Sequence, residues 1–122
     1  MNVPEDSFQF LQAICQAIFD KKGCNILTLD VRGISSITDY FIIAEGNVDR
    51  HVFALYMFLF DKLALLDRKP VHIEGDEGGG WIVIDYGDIM IHLMTSEMRE
   101  KYMFEQVWKE GLVVDIPFHT NS

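Results

Sequence analysis

Between Trp81 and Met94 the chain reads WIVIDYGDIMIHLM, two aliphatic runs interrupted by Asp-Tyr-Gly-Asp. Alternation of this kind, broken by a glycine, can fold as little other than a β-hairpin. A two-residue Tyr86-Gly87 turn would set Asp85 opposite Asp88, Ile84 opposite Ile89, Val83 opposite Met90, Ile82 opposite Ile91 and Trp81 opposite His92. One face of the ribbon is then Ile82, Ile84, Ile89, Ile91 and Leu93, suited to a core. A three-residue loop would pair Ile84 with Asp88 and mix the faces, so the even loop is preferred. Tyr86 is a poor residue for the positive φ of a type I′ turn, and the turn class stays open.

The opposite face gathers Trp81, Val83, Asp85, Asp88, Met90, His92 and Met94. Two carboxylates directly across a strand pair repel, so a cation at the tip would stabilise the hairpin. A metal ion or an Arg or Lys could supply it, and a solvated turn would need neither. His92 taken alone reads as a hydrogen-bonded sheet residue. Trp81 and the methionines beside charged groups have the composition of a protein interface.

At 122 residues the expectation is a single domain, residues 1–122, able to bury roughly two thirds of its unfolded surface. No apolar run suggests a bilayer span, and MNVPEDSFQF carries acids where a signal peptide would be basic, so the expected location is cytoplasmic, with no membrane partner. Cys15 and Cys24 form no CxxC and the four histidines are scattered, which predicts neither a metal site nor a cofactor. A net charge of -9 disfavours direct nucleic-acid binding and suits a basic protein partner.

Along the chain, Asp6 or Ser7 can cap a helix whose apolar residues Phe8, Leu11, Ile14, Cys15, Ile18 and Phe19 recur at helical spacing, with Gly23 as its stop. NILTLDV alternates as a strand with one buried face, RGISSIT connects, and DYFIIAEG is a second strand. From Val48 to about Leu66 a helix turns Val52, Leu55, Leu59, Leu63 and Leu66 toward a sheet. Phe53, Tyr56, Met57 and Phe60 lie on its other faces, to be covered by loops or another helix, or else by a second copy in a homodimer. VHIEG is a short strand. The GDEGGG that follows lacks the Lys and Ser/Thr of a phosphate loop, and Asp76 and Glu77 would repel phosphate. A last helix starts near Ser96 or Glu97 and carries Met98, Tyr102, Glu105 and Trp108, leaving residues 111–122 as a tail. The order αββαβββα predicts an α+β domain with a mixed sheet flanked by helices.

LDVRGISSITDYFIIAEGNVDRHV, EGDEGGGWIVIDYGDIMIHLM and REKYMFEQVW together resemble the ribosomal silencing factor family, also called Iojap, from the first helix to Trp108. The resemblance implies a nucleotidyltransferase-like fold with a five-stranded mixed sheet. It also implies binding to the large ribosomal subunit through basic ribosomal protein number fourteen at the inter-subunit face. That binding would sterically block the small subunit and repress translation. Carried over by position, the implied partner-binding surface comprises Asp39, Trp81, Asp85, Tyr86, Gly87, Asp88, Met94, Glu97, Arg99 and Tyr102. Trp81 and Met94 would be the apolar anchor, with Asp85, Asp88 and Glu97 meeting Lys or Arg. Asp39 can alternatively cap the RGISSIT turn, and Arg32 and Arg50 can pair with nearby acids.

Two rivals stand beside this reading: a metal-dependent nucleotidyltransferase, raised by the related fold, and a homo-oligomeric scaffold. Two-metal chemistry needs a pair of carboxylates on one strand and a third beside it. Here Asp39 is followed two positions later by Phe41, and Ile89, Met90, Ile91 and His92 stand where the third would come from. No catalytic residue is therefore assigned, and the expectation is a protein that acts by occlusion. The second helix, more apolar than the family pattern, is the main departure from it.

Overall fold

The computed structural model describes residues 3–75, 78–102 and 109–117. The elements run α1 (Glu5–Asp20), β1 (Cys24–Asp30), β2 (Tyr40–Gly46), α2 (Asp49–Ala64), β3 (His72–Gly75), β4 (Trp81–Asp85), β5 (Ile89–Thr95), α3 (Ser96–Tyr102) and β6 (Leu112–Val113). They build the expected α+β architecture with one more strand, in the order β3-β4-β5-β2-β1-β6. All neighbours are antiparallel except β2 and β5, which run parallel in the middle of the sheet.

The sixth strand corrects the reading of residues 111–122 as a tail. Leu112 and Val113 pair with Asp30 and Leu29, the Val114 N–H bonds the Thr28 carbonyl at 2.9 Å, and Ile116 is buried in the core. Residues 118–122 lie outside the described part, as do Glu105 and Trp108 of the last helix. Because β6 covers its outer edge, β1 is an interior strand. Thr28, Leu29, Asp30 and Val31 are all buried, rather than one face only. Asp30 is tolerable there because Arg32 binds its carboxylate at 2.6 Å, which holds that carboxyl below the usual carboxylate range.

α1 and α2 cover one face of the sheet. Leu11, Ile14 and Ile18 of α1 and Val52, Leu55, Leu59 and Leu63 of α2 meet Ile42, Ile82, Ile84, Ile89, Ile91 and Leu93. Each of these large aliphatic side chains contributes about 1.5–3 kcal/mol on burial. Leu66 departs from the expected stripe. α2 ends at Ala64, Asp67 adopts a positive φ of 60°, and the Arg68 N–H turns back to the Leu63 carbonyl, leaving Leu66 exposed. α1 likewise begins without a side-chain cap. Pro4 precedes it, its carbonyl accepts the Phe8 N–H at 2.8 Å, and Asp6 lies inside the first turn, where the helix dipole favours it.

The two thiols should differ sharply. Cys24 is exposed, whereas Cys15 is buried against Thr28 and burial pushes its thiol up to about 11, outweighing the opposing Thr28 hydrogen bond. A disulfide reagent at pH 8 should titrate Cys24 alone and reach Cys15 only on unfolding. Two fast equivalents from the native protein would contradict this burial.

Candidate functional site

The β4–β5 ribbon forms, with its register moved by two residues from the expected one. Trp81 faces Met94, Val83 faces His92, Ile84 faces Ile91 and Asp85 faces Met90. The Tyr86 N–H bonds the Ile89 carbonyl at 2.9 Å, so the turn residues are Gly87 and Asp88. The reason is local: Gly87 takes the positive φ of 89° at the first turn position, which glycine adopts without cost. A slide of two residues keeps every side chain on its predicted face, and Ile82, Ile84, Ile89, Ile91 and Leu93 do enter the core.

The slide changes what the turn residues do. Tyr86 is not at the surface; it is buried edge-on against Phe10, with ring centroids 5.6 Å apart, and burial pushes its hydroxyl up to about 12. Asp85 and Asp88 no longer confront each other. Asp85 accepts the Gly87 N–H at 2.7 Å. Asp88 pairs at 2.6 Å with Arg68, whose guanidinium lies 3.9 Å from the centre of the Phe10 ring. The cation expected at the hairpin tip is therefore a residue of the same chain, delivered by the reversal after α2. Charge reversal at Asp88 would break this internal pair and so disturb the fold as well as any docking.

The second face of the sheet is also more covered than its composition suggests. Leu29, Val31, Phe41, Ile43 and Met94 form a smaller core cluster, with Leu27, Trp81 and Met98 packed on it. Met94 is 1% exposed, so it supports the face from beneath and is not an exposed anchor. His92 is 6% exposed and stacks on Phe41 at 4.2 Å, and burial pushes its ring down to about 4. Trp81 is partly buried at the rim, packed on this cluster.

Arg99, expected at the partner surface, is turned inward. It bonds the Asn25 carbonyl and the Glu45 carboxylate, the latter at 3.1 Å, with both charged side chains 11% exposed. Its observed role is to fasten α3 onto β1 and β2. Glu97 is exposed, and so is Asp39, whose backbone N–H bonds the Asp88 carbonyl at 3.0 Å. The RGISSIT turn is held by the Val31 carbonyl, which accepts the Ser35 N–H at 2.9 Å, and by Ser35, whose Oγ accepts the Ile37 and Thr38 N–H groups at 3.2 and 3.4 Å. The Tyr102 side chain lies outside the described residues.

The candidate residues thus fall into two groups separated by the length of β5. Asp39, Asp85, Tyr86, Gly87 and Asp88 surround the β4–β5 turn, and Trp81, Met94, Glu97 and Arg99 lie at the other end, roughly 20 Å away at the rise of a strand. Beside this second group is a cleft of about 620 Å³ lined by Asn47, Val48, Asp49, Arg50, Thr95, Ser96 and Glu97. It opens where the parallel strands β2 and β5 end and α2 and α3 begin, the position where sheets of this kind commonly bind ligands. Sequence reasoning missed Asn47 to Arg50 because the signal is the parallel pairing of two strands at Gly46 and Thr95, 49 residues apart in the chain, and not a local motif.

On α2, Phe53 and Tyr56 are partly packed on the core, while Met57 and Phe60 are 46% and 37% exposed. The rings of Phe53, Tyr56 and Phe60 are joined in a chain at 5.7 and 6.0 Å. Among the described residues no group of three or more His, Cys, Asp or Glu is placed to hold a metal ion, and no helix is long and apolar enough to cross a membrane.

A mixed sheet with two helices on one face and a short helix over the rim of the other defines a small α+β domain with an open cleft where β2 and β5 end. The same architecture occurs in a crystal structure of a Chromobacterium violaceum protein, with a TM-score of 0.78 and 30% identity, covering 93% of this chain and 92% of that one. The chain belongs to the ribosomal silencing factor family: the model described as ribosomal silencing factor during starvation matches residues 4–122, including the last dozen residues beyond the motifs. A Bacillus subtilis relative, ribosomal silencing factor RsfS, is 32% identical over 112 residues, 92% of this chain and 95% of the relative. A mouse protein, mitochondrial assembly of ribosomal large subunit protein 1, is 38% identical over 74 residues, 58% of this chain and 32% of that longer protein.

Proposed function

We propose that this protein silences ribosomes by docking on the large subunit through basic ribosomal protein number fourteen and obstructing the approach of the small subunit. The carrying observation is family membership across residues 4–122. The net charge of -9 favours encounter with a basic partner, in the cytoplasm. The proposed contact lies at the end of the sheet where partly buried Trp81 reaches the rim and exposed Glu97 lines the cleft. Met94 and Arg99 hold that end in shape from beneath. Asp39 and the β4–β5 turn are the outer part of the same footprint, since an interface of about 800 Å² per partner can span the distance.

Sedimentation through sucrose gradients with purified subunits tests this reading. The protein should travel with the large subunit and reduce joined ribosomes, and Trp81→Ala should weaken binding by about 30-fold as an aromatic anchor does. Glu97→Lys should weaken binding several-fold, with a loss that shrinks as salt is raised. Thermal melting of each variant separates lost contact from lost fold. A protein that never co-migrates with the large subunit would end the proposal.

The exposed Met57 and Phe60 favour a second role for α2, pairing two copies of the chain. Phe60→Glu should then shift a dimer to monomer in analytical ultracentrifugation without loss of helix signal. A wild-type protein that is monomeric at all concentrations would remove that role.

A further inference from the structure

We propose that His51 is a pH-sensitive latch beside the cleft: its neutral ring ties the β2–α2 turn down, and protonation releases it. His51 lies in the first turn of α2, directly after Asn47 to Arg50, which line the cleft. Its Nδ1 accepts the backbone N–H of Asn47 at 2.9 Å. Its Nε2 lies 2.8 Å from the Lys21 carbonyl oxygen. A carbonyl can only accept, so Nε2 must carry the proton. One form alone makes both bonds, the neutral ring protonated at Nε2.

The imidazolium carries a hydrogen on both nitrogens. Its Nδ1–H would point at the Asn47 N–H, donor against donor, and that bond is lost while the one to Lys21 persists. Protonation therefore leaves the ring anchored to the α1–β1 turn and detaches Asn47. This matters because α2 has no side-chain cap: the residue before it, Val48, makes none, and among the described residues the turn then keeps the Val52 N–H to Val48 carbonyl bond of 3.0 Å. Asn47 and Val48 both line the cleft. The charged groups on the elements meeting here are Asp20, Lys21 and Lys22 on the end of α1 and its turn, Glu45 on β2, Asp49 and Arg50 on α2, and Glu97 of α3 across the cleft. Glu45 is bound by Arg99 and Asn25, and Asp20 accepts from Gln16, so neither is required by His51.

The latch is thus closed while the ring is neutral and opens when it takes up a proton. Its consequence for docking rests on the function proposed above, whereas the latch itself does not. Nitrogen-resolved NMR of the whole chain between pH 8 and 5.5 reads it directly. At pH 8 the His51 Nδ1 should be unprotonated and Nε2 protonated. The Asn47 amide shift should then follow the His51 titration with the same midpoint, and its hydrogen exchange, corrected for pH, should speed by about fivefold to tenfold on loss of one hydrogen bond. In His51→Gln the Asn47 amide should lose that titration. An Nδ1–H tautomer at pH 8, or an Asn47 amide indifferent to the His51 titration, would overturn the latch. Co-sedimentation with the large subunit at pH 8 and 6 tests its effect: wild type should bind more weakly at pH 6 and His51→Gln should not. Equal binding of wild type at both pH values overturns the regulatory effect. Absence of binding at either pH, with the NMR result intact, overturns the docking proposal instead.

Discussion

Arg99→Ala is expected to destabilise the protein by about 3 kcal/mol, the lower end for breaking a buried ion pair, because the pair keeps an edge to water. Its guanidinium is the group that binds the Asn25 carbonyl and the Glu45 carboxylate, joining α3 to β1 and β2. Removing it leaves Glu45, an interior sheet residue, with, among the described residues, only the Asn25 side chain at 3.0 Å to satisfy a charge. Urea unfolding of wild type, Arg99→Ala and the double variant Arg99→Ala/Glu45→Gln measures this. The double variant should recover part of the loss, since the stranded carboxylate is gone. A loss below about 0.5 kcal/mol would show that α3 is fastened by something else, 0.5 being the usual ceiling for an unremarkable surface change. The same experiment bears on function, because Glu97 and the rim of Trp81 are positioned by α3 and its neighbour β5.

The second large effect is a loss of stability on mild acidification that originates at His92. Burial holds its ring near 4 in the folded protein against an ordinary value of 6.5. The unfolded chain therefore takes up a proton at a pH where the folded chain does not. The stability associated with His92 is fully present above about pH 6.5 and is lost as the pH falls toward 4, by about 3 kcal/mol in total. His92→Phe retains a ring to stack on Phe41 and removes the titration. Its unfolding free energy should fall more gently than that of wild type between pH 6.5 and 4.5. Parallel slopes for the two proteins would mean that His92 takes its proton without unfolding. Asp30, held low by Arg32, acts in a lower window, since its contribution is lost only as carboxylates protonate. The His51 latch and the His92 effect are separable, because one moves a single amide in the folded protein and the other the global stability.

Local pattern made much of this fold readable. Period-two alternation assigned the inward face of the β4–β5 ribbon, and a register error of two residues did not disturb it, because strand faces repeat every two residues. Helical spacing likewise identified Val52, Leu55, Leu59 and Leu63, and it failed at Leu66, where a positive φ at Asp67 ended the pattern. The turn went wrong at Tyr86. As a sequence it reads as a turn residue beside glycine, and in the fold it is worth more packed on Phe10. The candidate site was half legible. Trp81 and Glu97 remain available, whereas Met94, Tyr86 and Arg99 face the interior, and Asp88 is held by Arg68 from 20 positions upstream.

By itself the sequence determined the helices and five of the six strands, the apolar side of most of them, and the motifs that mark the family, all of them properties of neighbours along the chain. Only the tertiary structure decided which polar groups are spent inside the protein. It alone set the parallel pairing of β2 with β5, the closing of the edge by β6 and the cleft those arrangements leave. These depend on contacts between distant segments, and a charged residue reads the same in sequence whether its partner is a ribosomal protein or an arginine of its own chain.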